Sequence, residues 1–350
     1  MNTSHGSNNW RPCAGLDALQ LRADLLRDIR EYFHRAAVLE VATPAMSAAA
    51  TTDPNIESYT VRPPATLGGL SPEPLYLHTS PEFPMKRLLA AGSGDIYQIC
   101  PVFRVAESGS MHNPEFQMLE WYRLGLDQHG LMDDLQSLFV HCLKKKPSTE
   151  LATETATDAA MVTSDVEFQR FSYYQLLEQV CGLSRSSLSC SSIASVLADN
   201  QIDCPLDASD DIDVWLDLLM STVVAGQLPE NRFSFVYDYP ASQCSLARIR
   251  ETSDGPVAER FELFYGSLEL ANGFYELQDA DEQQRRFEQD LELRRASHAA
   301  TVPFDQHLID ALHHGLPDCA GVAVGIDRLL MVFAGLQSID DVQCFPLGRA

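Results

Sequence analysis

The chain has 350 residues, 45% of them hydrophobic, and a formal net charge of −24 from 25 Lys and Arg against 49 Asp and Glu. That length suits one large domain or two small ones, and the acidic balance argues against a broad phosphate-binding face, although local basic patches stay open. No run of 18 apolar residues occurs, so no membrane span is expected; the Ser/Asn-rich start lacks the apolar stretch of a secretory signal. Nine scattered cysteines without a CxxC pair argue against a disulfide framework or a zinc site and fit the reducing cytoplasm.

Residues 1–14 read as a disordered tail. An apolar stripe of Leu19, Leu26, Ile29 and Phe33 predicts a helix from Leu16 to Ala37, followed by a short strand at Val38–Val41. Ser80-Pro81-Glu82 is a helix start, with serine at the cap and proline at the first helical position; that helix runs to Gly92. Strands are expected at 95–105 and 116–124, then a helix at 128–144. The Ala/Thr/Ser-rich stretch 145–165 reads as a linker or insertion. Helices at 172–181, 190–199 and 211–226 precede strands at 233–237, 244–250, 257–265 and 267–277. Helices at 281–299 and 305–313 follow, and a last strand turns near Gly325 into a helix at 327–335. This order predicts an α+β domain over 15–350: a mainly antiparallel sheet of about six strands with helices on one side.

Two stretches concentrate chemistry. In Phe103-Arg104…His112-Asn113-Pro-Glu-Phe116-Gln-Met118-Leu-Glu120-Trp-Tyr122, strand alternation points Phe116, Met118, Glu120 and Tyr122 to one side. An aromatic ring, a carboxylate and a phenol there, beside an arginine-bearing loop, suit either a small-molecule site or a half-buried sheet edge with Glu120 paired by a neighbour. Further on, Glu262 and Glu269 lie seven apart with Tyr265-Gly266-Ser267 as a turn between them; they read as a charged face on adjacent strands or as a pair of oxygen ligands. Asn272 and Glu276 share a strand face by parity and Glu269 does not, so a bulge near Gly273 is expected if all three meet. Alone, Arg104 and Arg328 would be surface ion-pair formers and His112 a solvated loop histidine.

The first stretch resembles motif 2 of the class II aminoacyl-tRNA synthetases in their lysyl branch. Gly321-Val-Ala-Val-Gly325-Ile-Asp327-Arg328 resembles their motif 3, Glu269-Leu-Ala-Asn272-Gly273-Phe-Tyr-Glu276-Leu the lysyl-specific strand, and the helix and strand ending at Pro44 a weaker motif 1. The matches run in family order over about residues 16 to 348. The resemblance implies that family's catalytic core, adenylation chemistry with ATP and Mg²⁺, and a homodimer through motif 1. It implies Arg104 on the α-phosphate and the substrate carboxylate as the catalytic residue, and His112 on the outer phosphates. Asn113 would lie near base and ribose, with the adenine between Phe116 and Arg328. Glu262 and Glu269 would hold the metal. Glu120 and Glu276, with Tyr122 and Asn272 beside them, would take a side-chain amine, and Glu82 the other amine of a diamine acid.

Three departures stand out. The family's Phe-Arg-Asn-Glu is Phe103-Arg104-Val105-Ala106 here, with Glu107 one place late. The loop arginine before the histidine is replaced by Ser110-Met111. Ala271 stands where the synthetases carry glycine, which implies a pocket of altered shape. No room is expected for an N-terminal anticodon-binding domain. With the Glu-Arg-Phe-Glu and Pro-Ala-Ser-Gln segments at 259–262 and 240–243, the chain resembles the truncated lysyl-tRNA synthetase paralogues. These activate (R)-β-lysine, or lysine, and pass it to a lysine amine of translation elongation factor P; transfer to tRNA is not expected. The alternatives are a stand-alone lysine–tRNA ligase and a catalytically weakened regulatory paralogue.

Overall fold

The computed structural model describes residues 10–63, 74–145, 166–202 and 211–350. The first nine residues of the expected tail and, but for Lys145, the expected insertion lie outside them. Within the tail, Cys13 and Ala14 donate backbone bonds to the carbonyls of Cys344 and Gln343, so its last residues are tied to the C-terminal segment.

Helix α1 (Leu16–Arg35) ends two residues earlier than its apolar pattern implies, because Ala37 turns into the left-handed region at φ 56°. The short strand β1 (Leu39–Glu40) follows, then β2 (Met46–Ser47), β3 (Thr60–Val61) and β4 (Leu75–Leu77), which form a small separate sheet. Next come α2 (Glu82–Ala90), β5 (Ile96–Phe103), β6 (Glu115–Leu124) and α3 (Gln128–Lys145). Strand β7 (Phe168–Ser172) leads into α4 (Tyr173–Cys181), α5 (Cys190–Asp199) and α6 (Ile212–Leu219). The last of these runs on as a π turn, Met220–Val224, and a 3₁₀ turn rather than as one helix. The C-terminal part comprises β8 (Phe233–Pro240), β9 (Ile249–Arg250), β10 (Val257–Tyr265), β11 (Leu268–Tyr275), α7 (Ala280–Ala296), α8 (Gln306–Gly315), β12 (Cys319–Gly325) and α9 (Ile326–Ala334). The strand expected over 244–250 shrinks to β9, since Ser245 takes a positive φ of 47° and breaks the extended run.

The main sheet has the order β1-β5-β6-β12-β11-β10-β8-β7. Its central six strands pair antiparallel, and only the outer pairs β1/β5 and β7/β8 are parallel. One face is a continuous apolar floor. Leu119 and Trp121 of β6, Phe261 and Leu263 of β10, and Val322 and Val324 of β12 pack there against Ile29 and Phe33 of α1, Phe139 of α3 and Phe333 of α9. The expectation of helices on one side only does not hold. On the opposite face α2 and α8 cover Ile96 and Tyr122 at one end, and α4 to α6 cover Val236 and Phe264 at the other. The middle of that face is left for polar side chains.

Two local features hold the sheet in this shape. Asp327, at the start of α9 and 2% exposed, accepts from the backbone N–H of Gln117 at 2.7 Å and pairs with Arg22 of α1, so motifs from three parts of the chain meet at one carboxylate. Gly273 lies flat on the apolar floor, where an added Cβ would stand 2.4 Å from Phe261 Cζ. Gly273→Ala should therefore destabilise the fold by about 1–3 kcal/mol through overpacking. A urea midpoint lowered at unchanged slope would bear this out, and an unchanged midpoint would refute it.

Candidate active site

Strand register sets one row of side chains across the polar face. Gln98 of β5 stands opposite Glu120 of β6, Glu120 opposite Ala323 of β12, Ala323 opposite Asn272 of β11, and Asn272 opposite Glu262 of β10. The next row holds Tyr122, Gly321, Phe274 and Arg260. Glu269 joins this face because Leu263 pairs with Ala271 while Phe264 pairs with Glu269, leaving Leu270 as the extra residue. The expected bulge is therefore at Leu270 rather than near Gly273.

At the α2 end the carboxylates gather. Glu120, 2% exposed, accepts from Tyr122 Oη at 2.7 Å and from Ser80 Oγ at 2.6 Å. Ser80 Oγ also accepts from the Glu82 N–H at 3.0 Å, so the helix start and the pocket share one hydroxyl. Glu276 is 1% exposed, and its Oε1 lies over Gly321, where a Cβ would stand 2.7 Å from it and 2.3 Å from Tyr122; only glycine leaves the room. Glu276 Oε2 lies 2.5 Å from Lys86 Nζ, a buried ion pair. Lys86 Nζ also donates to Glu82 Oε1 at 2.6 Å.

Burial, then the charge of Glu82, lifts the Glu120 carboxyl to about 7, against the pull of its two hydroxyl donors. Burial lifts Glu276 to about 8; Lys86 opposes the shift while Glu82 and Glu120 add to it. Burial alone would lower Lys86, but Glu276 and Glu82 outweigh it and keep the ammonium charged.

Arg104 follows β5 and pairs with Glu107 at 3.1 Å; its guanidinium lies 5.2 Å from the centre of the Phe116 ring. Ala106 is left-handed at φ 67°, which turns the loop so that Glu107, one place late in sequence, reaches the arginine. Phe116 thus carries Arg104 on its ring. Arg328 sits elsewhere, donating to the carbonyls of Met111 and Glu269 and meeting His112 Nε2. Burial and the adjacent Arg328 hold the His112 imidazole below its ordinary value. Asn113 has its amide engaged at both ends, donating to the Glu115 carbonyl at 2.6 Å and accepting from the Leu347 N–H at 3.0 Å. Asn113 thus ties the C-terminal segment to β6, with one amide hydrogen and one oxygen lone pair still unused by these two bonds.

Glu262 and Glu269 line a cavity of about 420 Å³ together with Arg260, Arg328 and His112. Glu262 accepts from Tyr239 Oη at 2.7 Å and from Arg260 at 2.5 Å, and Arg260 also reaches Asn272 Oδ1 at 3.3 Å. Enclosure and the charge of Glu262 push the Glu269 carboxyl upward. The described residues form no cage of three or more His, Cys, Asp or Glu ligands. Two carboxylates facing a polyphosphate-sized cavity are the donor set Mg²⁺ accepts when phosphate oxygens complete its shell, so the residues fit the ion.

Glu82, Glu120, Tyr122, Asn272, Glu276, Glu262 and Glu269 are thus brought to one face. Ala271 is not. It pairs with Val324 and Leu263, is 2% exposed and belongs to the apolar floor, because neighbours in a strand alternate. The methyl on the pocket side is Ala323. Lys86, Ser80 and Arg260 escaped the sequence reading. Glu82 and Lys86, four apart at a helix start, have the spacing of an ordinary surface pair.

The family model for tRNA synthetases class II (D, K and N) matches residues 13–349. An elongation factor P–(R)-β-lysine ligase of Vibrio atlanticus is 43% identical over 345 residues, 98% of this chain and 99% of the relative. Proteins of the same name from Photobacterium profundum and Yersinia enterocolitica are 44% and 42% identical; each alignment covers 98% of this chain, with 100% and 98% of the relatives covered. The chain belongs to the class II tRNA synthetase family of the D, K and N type.

Proposed function

We propose that this chain is an ATP-dependent, AMP-forming ligase that activates (R)-β-lysine, or less readily lysine, and transfers it to a lysine side-chain amine of elongation factor P. The observation that carries the reading is that three buried or nearly buried carboxylates converge on one ammonium: Lys86 serves Glu82 and Glu276, and Glu120 is held by neutral donors alone. Such carboxylates are matched by ammonium groups, since a buried charge needs a partner. The near full-length relatives bearing that name support the acceptor.

In this reading the distal ammonium is received by Glu120 and Glu276 and the other by Glu82. The substrate carboxylate lies at Arg104, whose planar fork suits both it and the α-phosphate. The carboxylate oxygen attacks the α-phosphorus, and the bond to the β-phosphate oxygen breaks, releasing pyrophosphate. The amine of the acceptor, having lost its proton to solvent, then attacks the acyl carbon and AMP departs. Glu262 and Glu269 would hold Mg²⁺, which neutralises phosphate charge when bound. Arg328 and His112 supply donors to the outer phosphates once released from each other. Catalysis here is mostly positioning and charge stabilisation. Glu107 on Arg104 restores the carboxylate that the sequence misplaces, which favours an active enzyme over a weakened paralogue.

ATP–pyrophosphate exchange with (R)-β-lysine, lysine and no amino acid, followed by transfer trials to elongation factor P and to tRNA, tests this reading. Exchange dependent on a diamine acid and transfer to the protein alone are expected. Transfer to tRNA alone would overturn the acceptor assignment.

Because Glu120 and Glu276 sit near 7 and 8, they hold protons on the acid side and must lose them to pair with ammonium. The value of kcat/KM for a diamine acid should therefore climb as pH rises from about 6 to about 8.5 and fall away below. Glu276→Gln should flatten that climb and cost roughly 3–5 kcal/mol of diamine use while sparing ATP binding. A Glu276→Gln profile superimposable on the wild-type one would place the amine elsewhere.

We also infer a homodimer in the cytoplasm. Strand β1 is the edge of the main sheet, Leu39 and Leu16 are 55% and 82% exposed, and an open apolar edge invites a second copy. The cysteines among the described residues are free, as a reducing compartment requires. Light scattering at micromolar protein should give twice the chain mass; a monomer mass would exclude the pairing.

A further inference from the structure

Lys86 has 1% of its side chain exposed and takes no part of its own in the steps above. Its ammonium joins two elements, reaching Glu82 in the first turn of α2 at 2.6 Å and Glu276 just beyond β11 at 2.5 Å. The aliphatic stem rises from a helix whose Met85 and Leu89 are packed into an apolar cluster with Tyr122 and Ile96, so the ammonium has little freedom to leave. Glu120 of β6 and Cys319 of β12 lie within its electrostatic reach, Tyr122 packs in the apolar cluster beside α2, and Arg248 donates to the Glu276 carbonyl. With every group ionised, as ammonium binding requires, Glu82, Glu120 and Glu276 supply three negative charges and Lys86 one positive, which leaves −2 among the four side chains. A diamine acid brings two ammonium groups, and its carboxylate is met outside this set by Arg104.

We propose that Lys86 is a positioning and specificity-determining residue of the amino-acid pocket: it fixes the spacing of the carboxylates that receive the two amines and sets their surplus charge to that of a dication. The proposal rests on the reading of the pocket as a diamine-acid site. Without Lys86, Glu82 and Glu276 would repel each other in a buried setting, and one would keep a proton to higher pH. A carboxylate whose folded value is raised loses stability for the fold as pH rises toward that value. The absence of Lys86 should therefore be felt most on the alkaline side when no substrate is present, and least there when a diamine is bound.

Lys86→Met keeps the volume and removes the charge; Lys86→Ala leaves room for a free alkylammonium ion. Thermal unfolding without substrate, at about pH 6 and about pH 9, reads the charge independently of activity. The deficit in Tm of Lys86→Met against wild type should be several degrees larger at the higher pH. Propylammonium chloride should raise the Tm of Lys86→Ala above that in equal sodium chloride, and by several degrees more than it raises that of wild type. In ATP–pyrophosphate exchange, Lys86→Met should show a KM for the diamine acid at least about tenfold higher near neutral pH, with kcat little changed and the defect narrowing as pH rises. A Tm deficit equal at both pH values, a response to propylammonium no larger than that of wild type, or an unchanged KM would each overturn the proposal. Should Lys86→Met fail to fold, recovery of soluble Lys86→Ala by propylammonium decides in the same way. If wild type exchanges with no diamine acid, the functional reading fails, while the two Tm arms still decide whether Lys86 holds the carboxylates.

Discussion

Placing several carboxylates on one face of a sheet, out of water, is the constraint on which the rest of this structure depends. Each buried carboxylate resists ionisation, and two side by side resist it more. The fold answers with an uninterrupted apolar face beneath the same strands, so that the period-2 alternation can present Glu120, Asn272, Glu276 and Glu262 upward while Leu119, Trp121, Phe261 and Leu263 anchor them below. Donors are then assigned one by one: hydroxyls of Ser80 and Tyr122 to Glu120, Lys86 to Glu82 and Glu276, Tyr239 and Arg260 to Glu262. Three buried or nearly buried carboxylates at the α2 end thus share one ammonium, and Glu120 has neutral donors alone.

The same logic governs the arginines. Arg104 and Arg328 are both engaged, one with Glu107 over Phe116, the other with backbone carbonyls and His112. These partners hold Arg328 at the cavity and Arg104 beside Phe116 without fixing them irreversibly, since the bonds are to neutral groups or to partly exposed carboxylates that a phosphate can displace. The loop between them is short and closed on itself, with Gly109 and His112 exchanging backbone bonds, and the Ser110 carbonyl accepts from Ile339. A loop held at both ends in this way needs no arginine of its own to stay in place.

Much of this was legible because it follows from alternation and punctuation. The strand carrying Glu120 and Tyr122 and the turn at Gly266 are local signals that the structure has where sequence puts them, while the helix expected from a Ser80 cap begins one residue later, with Pro81 at the cap and Ser80 bonding the Glu82 N–H. What escaped depends on register or on burial. The bulge at Leu270 follows from how β11 meets β10, which no parity count within one strand reveals. Lys86 has the spacing of a solvated i,i+4 pair, and only the packing of α2 against Tyr122 turns it inward. Asn113 sits in a motif that implies nucleotide contact, yet its amide oxygen accepts from a segment more than 200 positions away, at Leu347.

Ala271 shows how far a single misplaced parity reaches. Its methyl group packs on the floor with Leu263 and Val324, so a change there acts on the fold before it acts on the substrate. On the pocket side β12 presents Gly321, Ala323 and Gly325 in turn. Gly321 can carry nothing, since a Cβ would collide with Tyr122 and Glu276; at Gly325 the nearest atoms, on Arg328, are 4.0 Å away. Ala323 is left as the one methyl that β12 raises between Glu120 and Asn272. One methyl in an enclosed pocket shifts discrimination by about 1–3 kcal/mol, enough to separate isomers that differ in where one amine is attached. Under the proposed diamine-acid reading, shape selection between α- and β-amino acids would fall to the pocket side of β12 and charge selection to the carboxylates around it, so that the two are carried by different strands.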